Sequence, residues 1–105
     1  MDETQYHILA NTTLERWFNA LEAAYDAGAI DELELEGGIL TIKTPSARTY
    51  LVTKHAPSMQ LWYASPVSGG LHFRAVDDGW ALPDSRTLAH VLASELAHEG
   101  ITVTL

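Results

Sequence analysis

The sequence predicts an α+β fold, a two-layer α/β sandwich in which an antiparallel sheet of five to six strands is flanked on one face by an N-terminal and a C-terminal helix. Two observations predict it. Segments with the 3.6-residue apolar period of a helix stand near the two ends, and between them the apolar period falls to two, with no repeated βαβ unit. The 105 residues make a single domain, 1–105, large enough to bury a core without staples and too small for a separate cofactor domain.

The first helix runs from residue 6 to about 27. Leu9, Leu14, Trp17, Phe18, Leu21, Ala24 and Tyr25 share one face, Gly28 supplies the stop, and Asn11 or Thr12 offers an alternative start. Glu32, Leu33, Glu34, Leu35 and Glu36 then alternate acid with leucine up to Gly37-Gly38, which is followed by Ile39 to Lys43. This is a hairpin. A two-residue Gly-Gly loop pairs Glu36 with Ile39, Leu35 with Leu40, Glu34 with Thr41, Leu33 with Ile42 and Glu32 with Lys43. One face is then wholly apolar, and Glu32 opposes Lys43 as a favourable charge pair.

Three further strands are expected at about 49–54, 59–64 and 71–76. They are separated by His55-Ala56-Pro57-Ser58 and by Ser65-Pro66-Val67-Ser68-Gly69-Gly70, both rich in turn formers. Asp77-Asp78-Gly79 turns the chain into a short strand around Trp80, whose role is packing. After Pro83, Asp84 or Ser85 caps a second helix with Leu88, Val91, Leu92 and Glu95/Leu96 inside and Gly100 past its end. The tail, Ile101 to Leu105, is extended. With both helices on one sheet face, the other face meets solvent.

Composition narrows the function classes. The chain has no cysteine, so it can neither ligate a cluster through thiolate nor rely on disulfides. Six basic residues against fourteen acidic leave a net charge of −8, which repels phosphate backbones and attracts cations or basic protein surfaces, so no nucleic acid partner is expected. No apolar run approaches the roughly 20 residues that span a bilayer, and residues 1–10 lack the layout of a signal peptide. A soluble, unexported protein is the expectation.

Glu15, Glu22 and Asp26 stand at i, i+7 and i+11, on one stripe of the first helix, and Asp31, Glu32 and Glu34 follow directly. Glu22 and Asp26 are like charges at i,i+4, and Asp26 sits at the helix C-terminal end, where the macrodipole disfavours an anion. Local rules broken without compensation point to a site. All-oxygen ligands on a convex ridge suit hard cations, ferrous iron included, held weakly and at several exchangeable places. The plainer role of the hairpin glutamates is to block edge-to-edge aggregation. His7 adds a candidate imidazole ligand. His90 and His98, roughly 12 Å apart along a helix axis, cannot share an ion. Neither an H-E-x-x-H pattern nor a serine in a strand-to-helix elbow is present, so hydrolase chemistry gains no support.

If Leu61 and Tyr63 face the helices, alternation turns Gln60, Trp62 and Ala64 outward, with Thr53, His55, His72 and Arg74 on the same face. An outward Trp62 is either an interface anchor or is covered by its own loop.

Taken in order, Tyr6-His7-Ile8-Leu9-Ala10, Leu35-Glu36-Gly37-Gly38-Ile39-Leu40-Thr41-Ile42, Gln60-Leu61-Trp62-Tyr63-Ala64-Ser65-Pro66-Val67-Ser68-Gly69 and Gly79-Trp80 resemble the frataxin family and its bacterial CyaY-like members, colinearly over about residues 6–97. The resemblance implies a helix–sheet–helix sandwich and weak, exchangeable binding of iron (Fe2+/Fe3+) on an acidic ridge, with no organic cofactor. It also implies docking on the cysteine desulfurase and iron–sulfur scaffold protein as a regulator, iron donor or sensor. Such a protein is not an enzyme, beyond a weak ferroxidase activity that the resemblance alone suggests. It is a monomer that iron can drive into oligomers, cytoplasmic in a bacterium or in the mitochondrial matrix if this is a processed eukaryotic chain.

For docking, the resemblance implies a surface of Thr53, Lys54, His55, Gln60, Trp62 and His72. Lys54 and Gln60 match the family's pattern there, whereas Thr53, His55 and His72 replace residues that usually are Asn, Gln and Arg. Arg16, Asn19, Ala23 and Ala24 thin the ridge where relatives often carry acids. The rival readings are a generic protein-binding α+β module without a metal role and a small hydrolase.

Overall fold

The computed structural model describes all 105 residues, 1–105. Helix α1 (Glu3–Asp26) leads into strands β1 (Glu32–Glu36), β2 (Ile39–Lys43), β3 (Thr49–His55), β4 (Gln60–Ser65), β5 (Gly69–Val76) and β6 (Gly79–Ala81), and helix α2 (Leu88–Ala97) closes the order. A single 3-10 turn, Ala56–Ser58, separates β3 from β4. The six strands form one antiparallel meander in sequence order, with both helices on the same face, so the α+β sandwich is the fold observed.

Helix α1 begins three residues before the expected start. Asp2 accepts from the Gln5 backbone N–H at 2.8 Å while the Gln5 side chain accepts from the Asp2 N–H at 3.1 Å, a capping box that satisfies two donors. Its buried stripe is Tyr6, Ala10, Thr13, Leu14, Trp17 and Leu21. Tyr25, expected on that stripe, lies in the last turn and is 46% exposed. Thr13 lies inside because its hydroxyl donates to the Leu9 carbonyl and accepts from the Trp80 indole N–H, which confirms Trp80 as a packing residue.

The hairpin has the expected register at all five pairs, Glu32 with Lys43 through Glu36 with Ile39. Leu40 and Ile42 are fully buried and Leu33 and Leu35 half-buried beneath α1. Gly37 and Gly38 take φ of 60° and 77°, the left-handed conformation that the two-residue loop demands. Glu32 and Lys43 face each other in the ladder without an ion pair; the Lys43 side chain is exposed to water, where pairing gains little.

Two local expectations are corrected. Gly69 and Gly70 belong to β5, paired with Ser65 and Ala64, so the loop contracts to Pro66–Ser68. The cap of α2 is Thr87, whose hydroxyl accepts from the His90 N–H at 3.2 Å. Asp84 is engaged instead by the backbone N–H and Nε of Arg86, and a bridge between Ala81 and Thr87 keeps the chain extended up to the true cap. Past α2, Gly100 at φ 80° lets the Ile101 N–H reach the Leu96 carbonyl at 3.0 Å. Ile101 then enters the core, and the tail makes no ladder pairing.

Candidate metal ridge and docking face

Residues of the ridge are carried by α1 and by the edge strand beside it. Glu15, Glu22, Asp26, Asp31 and Glu34 are exposed and Glu32 is half-buried. None of these carboxylates is in an ion pair, since the two pairs in the molecule are His7 with Glu3 at 3.7 Å and Arg86 with Asp84 at 2.9 Å. The last turn of α1 contains no basic residue, so Asp26 faces the negative end of the helix dipole uncompensated.

The acids nevertheless fall into two sets. α1 covers the apolar side of the hairpin, whereas Glu32 and Glu34 leave β1 on the opposite side, so the sets adjoin around the sheet edge instead of facing one another. No three His, Cys, Asp or Glu side chains converge to hold a metal ion. His7 lies apart: at 1.5 Å per residue it stands roughly 28 Å along α1 from Asp26, and it faces Glu3. Structure adds Glu36, which lines a shallow 250 Å³ depression with Asn11, Glu15 and the Gly37-Gly38 tip. The alternation of Glu32, Glu34 and Glu36 was the available signal.

Two further carboxylates are engaged by hydroxyls. Glu95, buried on α2, accepts from Tyr63 at 2.6 Å, from Ser65 at 2.6 Å and from Ser68. Burial first, and then the bond to Glu95, pushes the Tyr63 phenol well above its ordinary range. Ser65 also accepts from the Val67 and Ser68 N–H groups, so the Ser-Pro-x-Ser-Gly motif is a turn latched onto α2. Glu99 accepts from Ser46 at 2.7 Å and from Tyr50. Partial burial works against the Glu99 charge, but the hydrogen bonds from Tyr50 and Ser46 outweigh it and hold the carboxyl below the usual range. Burial and the Glu99 bond together push Tyr50 up to about 12.

On the other side of the sheet, Leu61 and Tyr63 are buried, and Trp62 points outward as alternation requires. It is half-buried, not open, because both faces of its indole are covered. The His55 ring stacks at 3.6 Å between centroids and 11° between planes, and the His72 ring at 4.1 Å and 6°. Trp62 Nε1 donates to Gln60 Oε1 at 2.9 Å, and Ser58 Oγ donates to the same oxygen at 2.9 Å. Ser58 Oγ lies 2.7 Å from His55 Nδ1. Its one hydrogen is given to Gln60, so this hydroxyl–imidazole pair is not a base poised on a nucleophile.

Thr53 lies opposite Trp62 and completes the patch with Gln60, His55 and His72. Lys54 does not belong to it. Paired with the buried Leu61, it points to the helix side, where its Nζ donates to Asn11 Oδ1 at 2.8 Å.

The family model described as a frataxin-like domain matches residues 1–101. This chain belongs to the frataxin family. It is 32% identical over 95 residues to the mitochondrial frataxin homolog of Saccharomyces cerevisiae, covering 88% of this chain and 55% of that protein. It is 36% identical over 81 residues to the iron-sulfur cluster assembly protein CyaY of Vibrio cholerae, covering 76% of this chain and 73% of the relative. The chain therefore spans about half of the yeast relative's length and nearly three quarters of the bacterial one's. Among solved structures, a frataxin from Psychromonas ingrahamii superposes with TM-score 0.85 over 99% of this chain and 97% of the other at 16% identity, a likeness of fold. Trimeric yeast frataxin complexed with ferrous superposes with TM-score 0.77 at 28% identity over 94% and 86% of the two chains. No helix of this chain is long and apolar enough to cross a membrane.

Proposed function

We propose that this frataxin-family chain is a non-enzymatic accessory of iron–sulfur cluster assembly, which meets ferrous iron and the basic surface of a cysteine desulfurase through its acidic edge and the scaffold protein through the Trp62 face. The relative named as an iron-sulfur cluster assembly protein supports the process. The observation that carries the metal part is the run of carboxylates on α1 and β1 without a single cationic partner, in a molecule where Asp84 does have one in Arg86. Iron is cargo in this reading. The donors fit its hard-cation chemistry, oxygen ligands on an open ridge with water filling the remaining positions, and the lack of a converging set makes binding weak and exchangeable. Trimeric yeast frataxin with ferrous supports iron-linked oligomers as a further state.

The test is a ferrous titration followed by amide NMR under anaerobic conditions. Broadening confined to Glu15–Asp26, Asp31–Glu34 and Glu36 is expected; unchanged spectra at millimolar iron would refute the metal role and leave the protein-binding module. Pull-down with a desulfurase–scaffold pair, comparing the wild type with Trp62→Ala and with an acid-to-lysine ridge variant, separates the two surfaces. Retained binding in both variants refutes the two-surface arrangement.

A further inference from the structure

We propose that the Trp62 face is gated by protons: His55 and His72, stacked on the two sides of the indole, take up protons and convert a neutral aromatic stack into a cationic patch that docks a carboxylate-bearing segment of the partner. The inference rests on the docking reading above and adds its regulation and the chemistry of the contact.

The hydrogen-bond chain shows where the proton goes. Ser58 gives its hydrogen to Gln60 Oε1, so it must accept from His55, and the neutral His55 carries its hydrogen on Nδ1. Nε2 is then the site of protonation. Adding a proton there breaks no bond of the chain from His55 through Ser58 and Gln60 to Trp62 Nε1. The near-parallel stacks, 11° and 6° from the indole plane, place each new imidazolium over a π face, where the ring quadrupole attracts a cation. Protonation therefore keeps the patch intact while changing its charge.

The surroundings decide which partner this charge suits. From β3 the indole is faced by Thr53 and His55, from the 3-10 turn by Ser58, from β4 by Gln60, and from β5 by His72 and Arg74. β6 contributes Ala81, paired with Arg74. No carboxylate is among them. Asp77 and Asp78, in the β5–β6 turn, share a depression with Arg74 but form no ion pair with it, and Lys54 is turned away to Asn11. Arg74 adds a fixed positive charge on the same face, opposite Gln60. The result is a cationic island in a chain of net charge −8, complementary to carboxylates and not to the rest of its own surface.

The experiment measures affinity for a purified cysteine desulfurase–scaffold complex at pH 8 and pH 6, using the full chain as wild type, His55→Gln/His72→Gln and Trp62→Ala. Relative to the double variant, the wild type should tighten by about threefold to tenfold between pH 8 and pH 6, as two surface charge pairs predict, and 0.5 M salt should erase the gain. Equal pH dependence in wild type and double variant overturns the gate. If Trp62→Ala binds as the wild type does at pH 8, the docking reading itself fails; if it binds weakly while the wild type is flat in pH, only the gate fails. In the free protein, the Trp62 indole N–H resonance should shift between pH 5 and pH 8, the range of imidazole titration. Trp17 and Trp80, each 2% exposed, serve as internal references of folding. A Trp62 resonance that stays still overturns the gate without any partner present.

Discussion

Replacing Glu95 tests how the β4–β5 turn is held to α2. Its carboxylate is buried and forms no ion pair, and three hydroxyls satisfy it: Tyr63, Ser65 and Ser68. A hydrogen bond to a charged group contributes about 1.5–3 kcal/mol net, and a buried donor left alone costs about 1–3 kcal/mol. The three bonds do not count equally. Ser65 and Ser68 are half-buried and can turn to water once the carboxylate is gone, whereas the Tyr63 hydroxyl is buried and cannot. Glu95→Ala should therefore lose about 3–5 kcal/mol. Glu95→Gln, which keeps one accepting oxygen for Tyr63, should lose about half as much. Tyr63→Phe combined with Glu95→Ala should lose less than the sum of the two, with a coupling of about 1–3 kcal/mol. Urea unfolding with linear extrapolation measures the wild type, the three single variants and the double variant. A loss below about 1 kcal/mol for Glu95→Ala, or equal losses for alanine and glutamine, would refute the assignment of the latch to a charged acceptor.

Glu99 and Tyr50 give the latch at the β2–β3 turn opposite pH limits. Glu99 has a folded-state carboxyl below its unfolded value, so its contribution is complete above the unfolded value and is lost as pH falls through the folded one. Tyr50 is raised to about 12, so its contribution is complete below about pH 10, the usual phenol value, and is lost as pH rises towards 12. Thermal melts of Tyr50→Phe should be flatter than wild type at both extremes, and parallel curves would count against the linkage. Asp26→Lys, at the cation-free end of α1 and four residues from Glu22, should raise stability by about 0.5–1 kcal/mol while weakening ferrous binding in the NMR titration. A loss of stability would show that Asp26 has a favourable contact beyond the helix itself.

Elements set by near neighbours were legible in the sequence. The Glu32–Lys43 hairpin could be registered pair by pair because a two-residue Gly-Gly turn leaves one pairing that gathers Leu33, Leu35, Leu40 and Ile42 on a single face. The outward direction of Trp62 followed from strand alternation, and Trp80 was correctly read as packing. The start of α1 was missed because Asp2 and Gln5 precede the apolar period, and the cap of α2 was misplaced because a bridge outside the helix holds the chain extended to Thr87.

The sequence by itself determined the family, the order of elements, the excess of acid and the alternation that turns Trp62 away from the core. Tertiary structure alone decided which side chains meet. It placed His55 and His72 on the two faces of Trp62, drew Lys54 off to Asn11, separated the α1 acids from Glu32 and Glu34 across the sheet edge, and left His7 far from Asp26. The physical reason is one of range. Period, cap and turn depend on dihedral preferences over a few residues, while the stack and the buried Glu95 latch join residues from 7 to 32 positions apart, whose approach depends on the whole sheet being assembled.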